Sequence, residues 1–268
     1  MSFTIRHEAP GDYHAVEGLV RDAFWRFWEP DGRVIADEHL LAHRLRDAPS
    51  FVPELDFVAV GDDGELIGRI MYTRAEVVVA SGESTEILTF GPLAVRPDMQ
   101  GKGVGQALIA YSAARARDLG FPAIVIWGPP DYYPRAGFER AAAYGLADPS
   151  GLAMDAMMVL PLRPGALEGV AGMVRIDRGH FDLDPADVAA FDALFPARPP
   201  HQTTSVDVLA PKIGSAAVVV LEENGVPTVD SLRARSEAEI RRLPGFDDDD
   251  KIAALKAAVQ STGHGWGE

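Results

Sequence analysis

Three glycines at alternate positions, 101, 103 and 105, stand inside RPDMQGKGVGQAL, Arg96 to Leu108. Glycine frees the backbone and removes side chains, so successive N–H groups can converge on one anion. The stretch follows the apolar GPLAV and precedes a helical pattern, which sets it at a helix N-terminus. Unpaired N–H groups and the helix dipole favour phosphate there. Two familiar phosphate loops fail on spacing. GxxxxGK[ST] needs Lys-Ser or Lys-Thr after its last glycine, but Gln106 and Ala107 follow Gly105. GxGxxG needs glycine at 106 or 108, where Gln106 and Leu108 stand. What survives is Gln-x-x-Gly-x-Gly over Gln100–Gly105, with Arg96 and Lys102 adding positive charge. Spacing alone leaves two readings open, a diphosphate cradle and a glycine-rich turn.

Other reactive constellations are few. His39 and His43 in HLLAH lie one helical turn apart, as zinc ligands do. The glutamate of HExxH and a third ligand are missing, so the pair reads as a helix face. No Gly-x-Ser-x-Gly elbow occurs. With no cysteine there is no thiol nucleophile, disulfide or thiolate-held metal. DAFWRFWEPDG groups Trp25, Phe27, Trp28 and Glu29, which form either an aromatic and acidic wall for a cationic amine or simple core packing.

The 268 residues are 47% apolar and 24% charged, enough for one large globular domain or two unequal ones. The net charge of −15, from 25 basic and 40 acidic residues, opposes loose binding to nucleic acid or anionic membrane. A local nest of amides holds phosphate regardless. No apolar run reaches the roughly 18 residues of a membrane span, and the first residues show neither a basic leader nor a long apolar core. The expected location is cytoplasmic.

The elements that must carry the loop follow from periodicity. SFTIRHEA reads as a first strand and DYHAVEGLVRDAFW as a helix with Asp12 as N-cap. ADEHLLAHRL is a second helix, and DFVAV and ELIGRIMYTRAEVVV form a hairpin across GDDG. TEILTFGPLAV is a strand interrupted at Gly91-Pro92, since proline cannot donate to a ladder. A helix runs from about Val104 to Leu119, with Val104, Ala107, Leu108 and Tyr111 on one face and Gly120 as its C-cap. AIVIWG is a buried strand, PPDYYPRAGF a turn or brief helix, and LAMDAMMVLPL a further strand. Mixed strands with few helices predict a twisted α/β sheet rather than a regular βαβ array.

Together the loop, its strand–helix setting and DYYPRAGF resemble the GCN5-related N-acetyltransferases, the GNAT superfamily, over about residues 3 to 163. The family's [RQ]-x-x-G-x-[GA] motif falls on Gln100–Gly105 and its Tyr-x-x-x-Gly-Phe on Tyr133–Phe138. GPLAVRP with DYYPRAGF is most similar to the YhbS-type bacterial members. The resemblance implies a GNAT fold, α/β (α+β), with a mixed sheet splayed at its central strands. It implies acetyl-CoA as donor and no metal. Gln100, Gly101, Lys102, Gly103, Val104, Gly105 and Gln106 would hold the diphosphate, and Leu93, Ala94 and Val95 would pair with the pantetheine arm inside the splay. Tyr133 takes the place of the family's general acid, with Tyr132 pointing elsewhere. The acceptor side falls on Trp25, Trp28 and Glu29.

Two departures from the family pattern stand out. WGPPD occupies the place of an asparagine-bearing helix, and Thr89 that of the glutamate base of histone-acetylating members, which calls for a water chain or a different base, Glu29 or Glu86. The implied reaction is acetyl transfer to a primary amine, expected on a small molecule, in a ternary complex, since no cysteine offers an acetyl-enzyme relay. The alternative is a non-catalytic CoA-binding sensor or interaction protein with a helical partner-binding tail.

Composition shifts at PARPPHQTT. The expected organisation is a GNAT domain over 1–181, a linker with a short helix over 182–211 and a small all-α domain over 212–268. In the last part Ser236 and Glu239 have capping-box spacing, and Asp247–Asp250 open a final helix. This tail resembles the helix-hairpin-helix-like C-terminal domain of the bacterial RNA polymerase α subunit. That domain meets DNA phosphate where this chain has four carboxylates, so the expectation is a packing or protein-interaction module and not a DNA reader.

Overall fold

The computed structural model describes residues 2–25, 36–128, 132–148, 156–177, 182–197, 205–226, 228–262 and 266. They fall into two compact units, divided between Arg198 and Pro199.

The first unit opens with β1 (Phe3–His7), α1 (Tyr13–Phe24), α2 (Glu38–Leu45) and β2 (Phe57–Gly61), and β2 pairs antiparallel with β1, His7 opposite Phe57. Asp12 precedes α1 but does not cap it. Its carboxylate accepts from Arg6 at 2.6 and 2.9 Å and from the Ala9 N–H at 2.8 Å. The long run ELIGRIMYTRAEVVV breaks at the buried Met71 into β3 (Leu66–Ile70) and β4 (Tyr72–Val79). TEILTFGPLAV breaks at Gly91-Pro92, as expected from the proline, into β5 (Ser84–Phe90) and β6 (Ala94–Val95). The two breaks are neighbours, since the Gly91 N–H donates to the Met71 carbonyl at 3.1 Å.

Beyond β6 come α3 (Val104–Asp118), β7 (Ala123–Trp127), β8 (Glu139–Arg140), β9 (Leu146–Ala147), β10 (Met157–Pro161) and β11 (Gly172–Ile176). One sheet has the order β1-β2-β3-β6 and the other β8-β10-β7-β5-β4-β11-β9. Both long strands therefore cross from one sheet to the other at the same level, and the whole layer curls there. β11 was not foreseen. It has no apolar alternation, and its place comes from pairing with β4.

Alternate residues of β2 face opposite layers. Phe57 and Ala59 pack with Val104, Leu108, Ile109, Ala113 and Ala116 of α3, whereas Val58 and Val60 pack with Val16, Leu19, Val20, Ala42 and Leu45 of α1 and α2. The buried face of α3 is rotated from the expected one. Tyr111 is 42% exposed, while Ser112 is buried, donating to the Leu108 carbonyl at 2.7 Å and sharing a 2.8 Å bond with the Tyr72 hydroxyl. Small residues at 105, 112, 113 and 116 let the helix backbone close on the sheet, which a tyrosine on that face would prevent.

The stretch expected as a linker, 182–211, contains α4 (Pro185–Asp192), capped by Asp184. α4 docks on α1 and α2. Asp192 accepts from Arg21 Nη2 at 2.9 Å, Asp187 pairs with Arg44, and Phe191 and Phe195 pack on His39. The first unit thus continues past residue 181 through this helix.

The described part of the second unit is helical: α5 (Ala210–Ile213), α6 (Ser215–Glu223), α7 (Val229–Arg233), α8 (Glu237–Ile240) and α9 (Asp249–Gln260). Leu209, Leu221, Leu232, Phe246, Leu255 and Trp266 share its core. Ser236 and Glu239 form the expected capping box, with the Ser236 N–H donating to Glu239 Oε2 at 2.7 Å. Asp248 caps α9, accepting from the Asp250 N–H at 2.7 Å. No described helix is long and apolar enough to cross a membrane.

Candidate active site

β6 ends at Val95, and the chain reverses through a turn at Pro97–Met99 pinned by the buried Met99. The Gln100 side-chain amide donates to the Val95 carbonyl at 3.1 Å, clamping the loop to its strand. Gly101 and Gly103 have φ of 72° and 85°, left-handed values that disfavour any residue with a Cβ. α3 begins at Val104, and its first N–H with a backbone acceptor is that of Ala107, onto the Gly103 carbonyl at 3.0 Å. The amides of Val104, Gly105 and Gln106 are left at the helix end, where the macrodipole adds positive potential.

The strands open the space in front of those amides. β5 and β7 run parallel but meet in register at Leu88 and Ile124. Past that point β5 gives way to β6, which belongs to the other sheet, so β6 and the end of β7 diverge. β6 pairs with β3 along one side, Val95 opposite Gly68 and Ala94 opposite Arg69. Its second side carries no strand among the described residues. A free edge of this kind accepts an extended partner.

A cavity of about 600 Å³ lies beside β6 and the start of α3. It brings together Leu93, Val95, Gln100, Gly101, Gly103, Val104, Gly105, Gln106 and Tyr133 of the residues singled out from the sequence. Ala94 and Lys102 do not line it: the Ala94 side chain is buried among the residues under α1, and Lys102 is exposed. Arg96 is held by Asp98, Nε to Oδ1 at 2.7 Å, so its charge is largely matched within the loop. Arg135 lines the cavity in its stead, with Met99, Tyr132 and, from α1, Ala23 and Phe24. Trp25 is half-buried outside the lining, with the Arg21 guanidinium 4.5 Å from its ring centre. Phe27, Trp28 and Glu29 lie outside the described residues.

Two consecutive tyrosines span the walls. The Tyr133 ring packs on Phe90 at the end of β5 (5.9 Å) and on Phe138 (5.5 Å), and covers Gly128, which follows β7. Burial pushes its phenol up to about 12, and Tyr132 adds to the effect, so the group is protonated at neutral pH. Tyr132 does not point away from the site. It stands edge-on to Tyr133 at 5.0 Å and reaches toward α3, its own phenol raised by burial.

No Asp or Glu lines the cavity among the described residues. Thr89 is buried on β5 opposite Thr73. Glu86 is exposed and paired with Arg74 at 2.6 Å, away from the cavity. No cluster of three or more metal-ligating side chains occurs among the described residues. A larger depression of about 700 Å³ lies between Arg117, Tyr144 and Glu168, but it has no glycine turn opening a helix.

Residues 19–138 match the Acetyltransferase (GNAT) family. The uncharacterized N-acetyltransferase YhbS of Escherichia coli K12 is 32% identical over 178 residues, 66% of this chain and 98% of its own length. The crystal structure of Escherichia coli YhbS in complex with CoA has a TM-score of 0.56 at 31% identity, covering 67% of this chain and 91% of that one. A GNAT family acetyltransferase from Brucella melitensis, in complex with acetyl-CoA, shares the fold at 24% identity and a TM-score of 0.52, over 68% of this chain and 99% of that one. The chain belongs to the GNAT family of acetyltransferases. Its first unit has that family's curled mixed sheet and flanking helices, to which the C-terminal helices are added.

Proposed function

We propose that the protein transfers an acetyl group from acetyl-CoA to a primary amine of a small molecule, directly, in a ternary complex. The observation that carries this reading is one cavity bounded by the amide-rich end of α3, the free edge of β6 and a protonated Tyr133. Acetyl-CoA supplies an activated thioester; the CoA complex of YhbS supports its place here. The amides of Gln100 to Gln106 bind the diphosphate, with Arg135 as counter-charge. Leu93 to Val95 offer backbone groups to the pantetheine arm as an added strand would take them. A backbone N–H of that edge polarises the thioester carbonyl, and Tyr133 holds a proton for the sulfur. The described lining holds no carboxylate, so the amine passes its proton to a water chain or to Glu29, which lies outside the described residues. Absence of cysteine favours direct transfer over an acetyl-enzyme.

The second unit is proposed as a helical packing or protein-interaction module, similar to the polymerase α-subunit domain in pattern. Asp248, Asp249 and Asp250 at the start of α9 repel nucleic-acid phosphate. A second reading, a CoA sensor or interaction protein without turnover, draws on Thr89 and on the lack of a carboxylate in the described lining. Calorimetric titration with CoA, and CoA release from acetyl-CoA with and without a panel of amines, separate the two. Binding with amine-dependent release is the expected result. Binding with no release from any amine favours the sensor, and no binding overturns both.

A further inference from the structure

Gly105 is the one glycine of the loop whose own backbone does not call for glycine. Gly101 and Gly103 are left-handed, but Gly105 is helical, in the first turn of α3. The reason for it lies across the cavity. A Cβ on Gly105 meets the Tyr132 hydroxyl oxygen at 2.4 Å, whereas Val95 Cγ2 stands at 3.5 Å and Tyr132 Cζ at 3.7 Å. With that one oxygen removed, all remaining contacts are ordinary. The phenol is also in polar contact with the Gln106 side chain, and the ring is set edge-on to Tyr133 at 5.0 Å. Tyr132 therefore joins the amide-rich helix end to the ring that carries the proton.

We propose that Tyr132 is a positioning residue of the CoA site: its hydroxyl, seated on the bare Cα of Gly105 beside Gln106, fixes the α3 amides and the Tyr133 ring in one arrangement. The inference rests on the proposed function and names a residue that acts through others. Position 105 is glycine for the tyrosine, not for the diphosphate. A tyrosine has two rotatable bonds and a rigid ring, so a methyl group at 105 displaces the whole ring by about an ångström rather than bending its tip. Tyr133, packed against it, is displaced with it.

The test is a double-mutant cycle on the full chain, titrated with CoA: wild type, Gly105→Ala, Tyr132→Phe and the two combined. Gly105→Ala is expected to weaken binding about tenfold and Tyr132→Phe about threefold, with the double mutant equal to Tyr132→Phe within about twofold. Deleting an oxygen then rescues an added methyl, a result no independent structural role gives. Failure of Gly105→Ala to fold, with a folded double mutant, shows the same coupling. Wild-type affinity in Gly105→Ala overturns the inference, as does a double mutant as weak as the product of the single losses, or one that does not fold. A wild-type chain that gives no heat with CoA overturns the functional reading as well, which separates the two failures.

Discussion

In the proposed reaction Tyr133 faces the departing sulfur with its proton in place. A phenol pushed up to about 12 is a weaker acid than an ordinary thiol at about 8.5, so Tyr133 donates a hydrogen bond to the departing sulfur more readily than it surrenders the proton outright. Its value lies in being protonated throughout the working range. Tyr133→Phe is expected to lower kcat by about a hundredfold while CoA affinity changes by less than about threefold. The wild-type pH–rate profile is expected to show no inflection from this group between about pH 6 and 9. Steady-state rates across that range check both statements, and an unchanged kcat removes Tyr133 from the mechanism. Gln100 differs in kind: its side chain donates to the Val95 carbonyl, so in the proposed complex the loop's backbone N–H groups, not this amide, meet the ligand.

Five elements of the first unit are tied together by buried charge. Arg46, after α2, bonds Glu8 at 2.7 Å and Glu17 of α1 at 2.6 Å. Arg69 of β3 bonds Glu8 and Asp56 at 3.0 Å each. Glu17 also meets His43 Nδ1 at 2.9 Å, while Glu8 and Asp56 share the Arg69 guanidinium, and of that pair Asp56 is the one that keeps its proton. Burial pushes Asp56 up to about 8 against the pull of Arg69, with Glu8 adding to the rise. Burial also works to raise Glu8, but the Asp56 hydrogen bond, Arg69 and Arg46 outweigh it and hold Glu8 low. The folded chain thus keeps a proton on Asp56 that the unfolded chain releases near its ordinary 3.8. Stability from that proton is complete below about pH 4 and is lost as pH rises through about 8. The thermal midpoint is expected to fall between about pH 6 and 9, and to fall less in Asp56→Asn, whose amide is neutral throughout. Parallel melting curves for the two proteins over that range would sink the assignment.

Across the whole molecule, each unit has its own core. Leu255 is fully buried among helices of the second unit. Leu255→Ala is expected to destabilise that unit by about 2–5 kcal/mol and to leave CoA affinity within about twofold. Scanning calorimetry and CoA titration of the same sample check this, and loss of CoA binding would show that the first unit depends on the second. The surplus of 15 negative charges opposes loose contact with nucleic acid, and in the proposed complex local amides and Arg135 meet the diphosphate.

Local physics was legible in the chain. The glycine spacing placed the loop at the start of α3, Gly91-Pro92 located a strand break, and Ser236 with Glu239 marked a cap, because each acts on its own backbone within a few residues. Asp12 departs from such a rule because its carboxylate is taken by Arg6 and the Ala9 N–H instead. What folding alone could settle are meetings between distant segments: Met71 with Gly91, Phe24 and Arg135 in one lining, α4 on α1, the Tyr132 hydroxyl over Gly105. No short window holds both partners of such a pair. Spacing along a chain fixes which backbone groups are unpaired, but packing density and burial belong to the three-dimensional arrangement that brings remote side chains into contact.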